Sequence, residues 1–308
     1  MANELIHDSH NVLYLINNDE TVLAVLNGNG ISHEIWLDDD LAHWKSLLKT
    51  IDYSIVVIDL YNMKETFLEE LLNLADGVCL FDDENLLPHY PVSWVVNGSP
   101  YARSISYPVN NSNAEFFLGC EYLCLREEFL VNRKKEIVRD AVSALVIMGG
   151  SDPQKQTAKC IEACFENDMD VFVSVTAGES VLDAYTNNRR VRFFSAHENI
   201  AAIMNKVDIA ISGSGITALE LACVGVPTIL LELAENQRGN AESLERDAGF
   251  CFLGNFSNVN RNQIAETISG LKSDYTKRSL MMMHAQSLID GKGTKRVAQQ
   301  LTLKVKNA

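Results

Sequence analysis

The feature that most narrows the fold is an alternation running through almost the whole chain, in which short apolar or β-branched segments are followed by stretches of helical period. Ser54–Leu60 (SIVVIDL), Ala144–Met148 (ALVIM) and Pro227–Leu231 (PTILL) are close to continuously apolar. Strands apolar on both faces need cover on both faces, and a parallel sheet crossed by helices supplies it. Further strands are expected at Asn11–Ile16, Ile31–Leu37, Val78–Phe81, Ser93–Val96, Asp170–Val175, Val191–Phe194, Ile209–Ser212 and Phe250–Leu253. Helices are expected between them, among them Leu41–Thr50, Gln156–Asn167, Thr217–Val224, Asn236–Ala248 and a last one over Thr294–Leu301. Lys64–Leu74 places Phe67, Leu68, Leu71 and Leu72 on one helical face. This order predicts an α/β protein with doubly wound, mostly parallel sheets.

A charged stretch, Leu130–Asp140 (LVNRKKEIVRD), interrupts the series. We therefore expect two Rossmann-like domains, residues 1–130 and 140–308, facing a ligand cleft. A chain of 308 residues suits about two domains. Charge separates the halves as well. Residues 1–130 hold 5 Lys/Arg and 21 Asp/Glu, a net of −16, whereas residues 131–308 are at +1. The overall net charge of −15 leaves no basic surface of the kind a nucleic-acid binder presents. An anionic ligand should prefer the second half.

No apolar run reaches the roughly 18 residues that a membrane-spanning helix needs. The opening Met-Ala-Asn-Glu-Leu-Ile-His has no basic segment followed by an apolar core, so a cytoplasmic location is expected. The seven cysteines include two pairs spaced four apart, Cys120/Cys124 and Cys160/Cys164, without further ligands nearby. They read as free, buried thiols, and His7 and His10 as surface residues, so neither a metal nor a cofactor is implied.

Several strand-to-helix loops could carry chemistry. Gly213-Ser214-Gly215-Ile216-Thr217 follows a buried strand, and glycines there let a ligand approach the free N–H groups of a helix start. A plain turn needing glycine is the alternative. Glu220 lies about two turns into that helix amid Ala218, Leu219, Leu221, Ala222 and Cys223. A carboxylate in such surroundings needs a partner, either a ribose diol or a buried backbone or Arg group. Gly149-Gly150-Ser151-Asp152-Pro153 repeats the arrangement, with Ser151 or Asp152 equally able to cap the next helix. Asn236, Gln237 and Asn240 enter a helix with side chains that both donate and accept, as a sugar requires. In the first half, Asp59 and Tyr61, and then Asp82 and Asp83, follow buried strands at the end where open α/β sheets place ligand groups.

VVIDLY at 56–61, LFDD at 80–83, YLCLREEF at 122–129, IMGGSDPQKQT at 147–157, the run from 200 to 237 and IDGKGTKRV at 289–297 share order and spacing with one family. The chain resembles the UDP-2,4-diacetamido-2,4,6-trideoxy-β-L-altropyranose hydrolases of pseudaminic acid biosynthesis and their spore-coat-polysaccharide relatives. These belong to the GT-B superfamily, close to the lipid II N-acetylglucosaminyltransferase. The resemblance implies two Rossmann-like domains, with diphosphate at Gly213–Thr217, ribose at Glu220 and uracil before Asn199. It also implies sugar at Asn236 and Gln237, with Asp59 and Tyr61 near the sugar from the first domain. The family opens with a strand and a Gly-x-Gly-His loop bearing its principal catalytic histidine, and this sequence shows neither. The first domain is thus expected without its opening strand, and Asp59, Tyr61 and Asn236 are left as acid/base candidates. Three readings follow: a UDP-sugar hydrolase of surface glycan synthesis working beside other glycan enzymes, a transferase using the same donor, or a binding subunit without catalysis.

Overall fold

The computed structural model describes the chain except residues 17–19, 29, 36–45, 47–54, 61–62, 150–151, 153–155, 196–197 and 306–308. The expected helix at Leu41–Thr50 lies outside the described residues apart from residue 46. The chain divides into two compact units.

The first unit comprises residues 1–98, 102–124 and 293–308. It holds a parallel pair, β1 (Tyr14–Ile16) and β2 (His33–Ile35), and a parallel four-stranded sheet in the order β3-β4-β5-β6. Those four strands are Ile55–Ile58, Gly77–Phe81, Trp94–Asn97 and Glu115–Leu118. The central members β4 and β5 are buried almost throughout. Gly77 is required there, because a Cβ would lie 2.5 Å from the Trp94 ring. β3 departs from expectation: Val57 is exposed and only Ile58 is buried, since among the described residues β3 pairs with β4 alone. Helix α3 (Glu65–Leu72) buries Leu68 and Leu71 but leaves Leu72 exposed. Strand β6 (EFFL) and the short helix α1 (Ala2–His7), which holds His7, are elements the sequence pattern did not single out.

The second unit comprises residues 99–101 and 125–292. Its six-stranded parallel sheet runs β12-β11-β10-β7-β8-β9. In chain order the strands are β7 (Ser143–Ile147), β8 (Asp170–Ser174), β9 (Val191–Phe194), β10 (Ile209–Gly213), β11 (Thr228–Glu232) and β12 (Cys251–Asn255). The chain winds outward from β7 to β9, then returns to β10 on the other side of β7. Helix α8 (Ile216–Val224) follows β10 and is buried at seven of its nine positions. Such a helix sits between layers rather than on a surface.

The charged segment 130–140 is not a loose linker. Arg133 donates to the carbonyls of Gln286 (2.6 Å) and Asp290 (2.8 Å), and Lys134 donates to that of Asn205. Gln286 in turn donates to the carbonyls of Lys134 and Val224, each at 2.9 Å. Arg278, fully buried, joins the carbonyls of Leu271 and Lys272 to those of Val138 and Arg139. The carbonyls at the ends of four helices thereby find donors, and cations at helix C-termini also match the helix dipole.

The closing helix α12 (Gly293–Val305) belongs to the first unit, not to the second as the sequence order suggested. Its Val297 and Leu301 join Cys79, Trp94, Val96 and Phe117 in one core. Gly293 and Gly98 both press on Leu123: a Cβ on Gly293 would lie 2.2 Å from the Leu123 carbonyl oxygen, and one on Gly98 2.4 Å from its Cα. Leu301→Ala should therefore destabilise the first unit by about 2–5 kcal/mol. Hydrogen exchange should speed up at β4 and β5 and stay unchanged at β7 and β10; uniform change would argue against this grouping.

Candidate functional site

The place where winding reverses, between β7 and β10, opens a crevice at the carboxyl ends of a parallel sheet. The loops following β7, β10 and β11 meet there. A Cβ on Gly213 would lie 2.7 Å from Leu233 Cδ1 and 3.3 Å from the Met148 carbonyl, so a side chain there would have to displace Leu233. Gly215 precedes helix α8 with no side chain capping the helix start. Its Cβ would meet Gln237 Nε2 at an ordinary 3.5 Å, so the absent side chain keeps space open rather than relieving a clash. Gly149 has φ +100 and open space around its missing Cβ. Gly150 and Ser151 lie outside the described residues.

Ser214 is fully buried, and its hydroxyl donates to the Leu231 carbonyl at 2.9 Å. Thr217 is nearly as buried in the first turn of α8. Asp152 acts as a cap: its two oxygens accept the N–H groups of Gln156 (2.9 Å) and Thr157 (2.8 Å) at the start of helix α5 (Thr157–Glu166). The carboxylate is thus occupied by backbone. Asn236 is exposed in a short turn, Glu235–Gln237, and Asn240 is half-buried in the first turn of helix α9 (Arg238–Ala248). Asn199 caps helix α7 (Ile200–Lys206) through the Ala202 N–H.

Glu220 is 15% exposed, with the Arg126 guanidinium 3.9 Å away. Arg126 also pairs with Glu128 at 2.8 Å and lies over the Phe129 ring. Burial drives the Glu220 pKa up to about 7, with Arg126 opposing the rise and Glu128 adding to it. Both sequence alternatives for Glu220 thus bear on one side chain, because it has an Arg neighbour yet remains costly to ionise.

Sequence reasoning missed Glu232. It ends the otherwise apolar strand β11, is 3% exposed, and binds Arg238 with oxygens at 3.0 and 3.2 Å. The available signal was a carboxylate closing TILLE with an arginine six residues on.

In the first unit, the structure separates the two adjacent aspartates. Asp82 is buried and structural: it accepts the N–H groups of Glu84 (2.9 Å) and Leu86 (3.0 Å) and the Tyr90 hydroxyl. Asp83 is exposed at the same strand end. Lost hydration, then the charges of Asp59, Asp82 and Glu84, lift its pKa to about 6. Asp59, which follows β3, is also raised by desolvation. Tyr61 lies outside the described residues. Among the described residues no cluster of His, Cys, Asp and Glu could hold a metal, and no helix is long and apolar enough to cross a membrane.

Known proteins share this fold. Acinetobacter baumannii MurG superposes with a TM-score of 0.66 at 13% identity, over 98% of this chain and 93% of that one. Anabaena Alr3699/HepE, solved in complex with UDP and glucose, gives 0.59 at 13% identity over 96% and 92%. The fold is that of a GT-B glycosyltransferase-like protein, built from two Rossmann-like units. Residues 144–301 match the glycosyltransferase family 28 C-terminal domain, and the chain belongs to that family.

The spore coat polysaccharide biosynthesis protein SpsG of Bacillus subtilis is 25% identical over 260 residues, 81% of this chain and 76% of that protein. The UDP-2,4-diacetamido-2,4,6-trideoxy-beta-L-altropyranose hydrolase of Campylobacter jejuni is 27% identical over 170 residues, 52% of this chain. An uncharacterized Methanocaldococcus jannaschii protein is 26% identical over 254 residues, 77% of this chain. The chain spans 60% of the length of the hydrolase and 52% of that of the archaeal protein.

The raised pKa of Glu220 has a consequence for stability. Between the ordinary value of 4.5 and about 7 the folded chain holds a proton that the unfolded chain releases. Stability from this group is therefore full below pH 4.5 and declines as pH rises through 7. Urea midpoints measured across this range should show the decline in the native chain and its loss in Glu220→Gln; identical slopes would contradict the burial described.

Proposed function

We propose that the protein binds a UDP-sugar through its second unit and releases UDP from an amino-sugar donor during surface glycan synthesis. One observation carries the reading: an uncapped, glycine-bordered helix start at the switch point of a parallel sheet, with the half-buried Glu220 two turns further on. In this reading the Gly213–Thr217 loop holds the diphosphate through the N–H groups at the start of α8, and the helix dipole favours its charge. Glu220 accepts from the ribose hydroxyls, Asn236 and Asn240 form the sugar side, and Gln237 lies beside them at the nucleotide-sugar site. Gly149, Gly150, Ser151 and Asp152 border the nucleotide, Asp152 by ordering the loop. Charge supports the same arrangement, because residues 131–308 are nearly neutral while residues 1–130 stand at −16.

For hydrolysis, water adds at the anomeric carbon, and the bond from that carbon to the β-phosphate oxygen breaks. UDP departs with the electron pair, and a base takes the water proton. Asp59, Tyr61 and Asn236 are the groups we assign to that acid/base work. Membership of a glycosyltransferase family favours a second reading, in which a sugar or protein hydroxyl replaces the water.

UDP at about 100 times its Kd should stabilise the folded chain by about 2.7 kcal/mol in a thermal-shift titration. Glu220→Ala should weaken UDP binding roughly tenfold, as expected for a lost hydrogen bond to a charged group. Incubation with a UDP-amino sugar should liberate UDP without any acceptor. Release only on adding an acceptor would favour transfer, and binding without release would leave a binding role.

A further inference from the structure

The turn that carries Asn236 and Gln237 is pinned to the crevice more tightly than a sugar-contacting loop requires. Gln237 Oε1 accepts the N–H of Ser214 at 3.1 Å, shared with the Leu231 carbonyl at 3.1 Å, and the N–H of Leu233 at 3.3 Å. These donors belong to different loops, one after β10 and one after β11. Both are N–H groups, so the amide oxygen must face them and Nε2 must face the other way. That second face lies beside Gly215, where Nε2 is the group nearest to the missing Cβ at 3.5 Å. One residue further on, Arg238 is fixed by the buried Glu232, and Gly239 packs on the Tyr101 ring, 2.8 Å from where a Cβ would lie. The turn is thus anchored by Gln237 itself and by the two residues that follow it.

We propose that Gln237 is a positioning residue: it sets the spacing between the loops after β10 and β11 and so holds the start of α8 ready for a nucleoside diphosphate. This rests on the nucleotide-sugar reading, but it assigns Gln237 a different task from sugar contact. Its acceptor is engaged within the protein, and only its donor end remains directed toward the ligand side, where a donor suits an anion. Leu233, packed against Gly213 and tied to Gln237, extends the clamp into the glycine loop itself.

Two variants and two probes test this. Gln237→Ala removes the acceptor, and Gln237→Glu keeps one. We expect Gln237→Ala to weaken UDP about tenfold while leaving uridine, which lacks the diphosphate, unchanged. Amide exchange at Leu233 should quicken in Gln237→Ala and stay slow in Gln237→Glu. Equal weakening of UDP and uridine would indicate general structural loss and overturn the proposal. Weakened binding of a UDP-amino sugar with unchanged UDP would indicate direct sugar contact and overturn it too, as would fast Leu233 exchange in both variants. If the native chain fails to bind UDP, the nucleotide-sugar reading falls, and Leu233 exchange in the unliganded protein still decides whether the clamp exists.

Discussion

The Asp208 carboxylate fixes the register on which the crevice depends. A single oxygen, Oδ2, accepts the N–H groups of Val142 and Ser143, both at 2.9 Å, and the Ser143 hydroxyl at 2.8 Å. These residues sit where β7 and β10 begin, so the parallel pairing of Ala144–Ile147 with Ile209–Ser212 is set from its amino end. A slip of one residue would turn every side chain of β10 to the opposite face. It would also move Gly213 away from Leu233 and Met148, which pack closely on it. The geometry at the carboxyl end is therefore determined five residues earlier by a buried acid with three donors.

The polar groups of the second unit fall into two kinds. Arg278, Arg133, Gln286 and Asp208 are consumed by backbone and hold elements together. Hydrogen-bonded in this way, such groups specify one arrangement because leaving them unpaired is costly. Glu220 is the contrasting kind: it is buried with an exposed arginine almost 4 Å away and is reluctant to ionise. A carboxylate in that condition gains from any hydrogen-bond donor that reaches it.

The strands of the second unit were legible because a strand covered on both faces must be apolar throughout, and Ala144–Met148 and Pro227–Leu231 are. The glycine loops were legible because glycine after a buried strand serves a close approach, as at Gly213, or a positive φ, as at Gly149. Three things were not. Asp152 and Gln237 look alike in sequence, as polar residues near helix starts, yet both turned out to bind backbone. The basic run at 133–135 reads as solvated charge, because its carbonyl partners lie up to 157 residues away. Helix Gly293–Val305 continues the second series in sequence while its apolar face fits the first core, and sequence order carries no information about which core a face will find.

The return of that helix bears on how such a chain can be recombined. The first unit is assembled from three separate segments, whereas 168 consecutive residues, Leu125–Lys292, carry nearly all of the second. A gene fusion cut once, in the middle, would strip the first unit of the helix that fills its core. The second unit is a nearly continuous stretch of chain, completed by Ser99–Tyr101, with its two main junctions beside Leu123 and Gly293. Those junctions are held by contacts that tolerate no extra carbon. A cut at these points therefore meets glycines that the first unit packs tightly on Leu123.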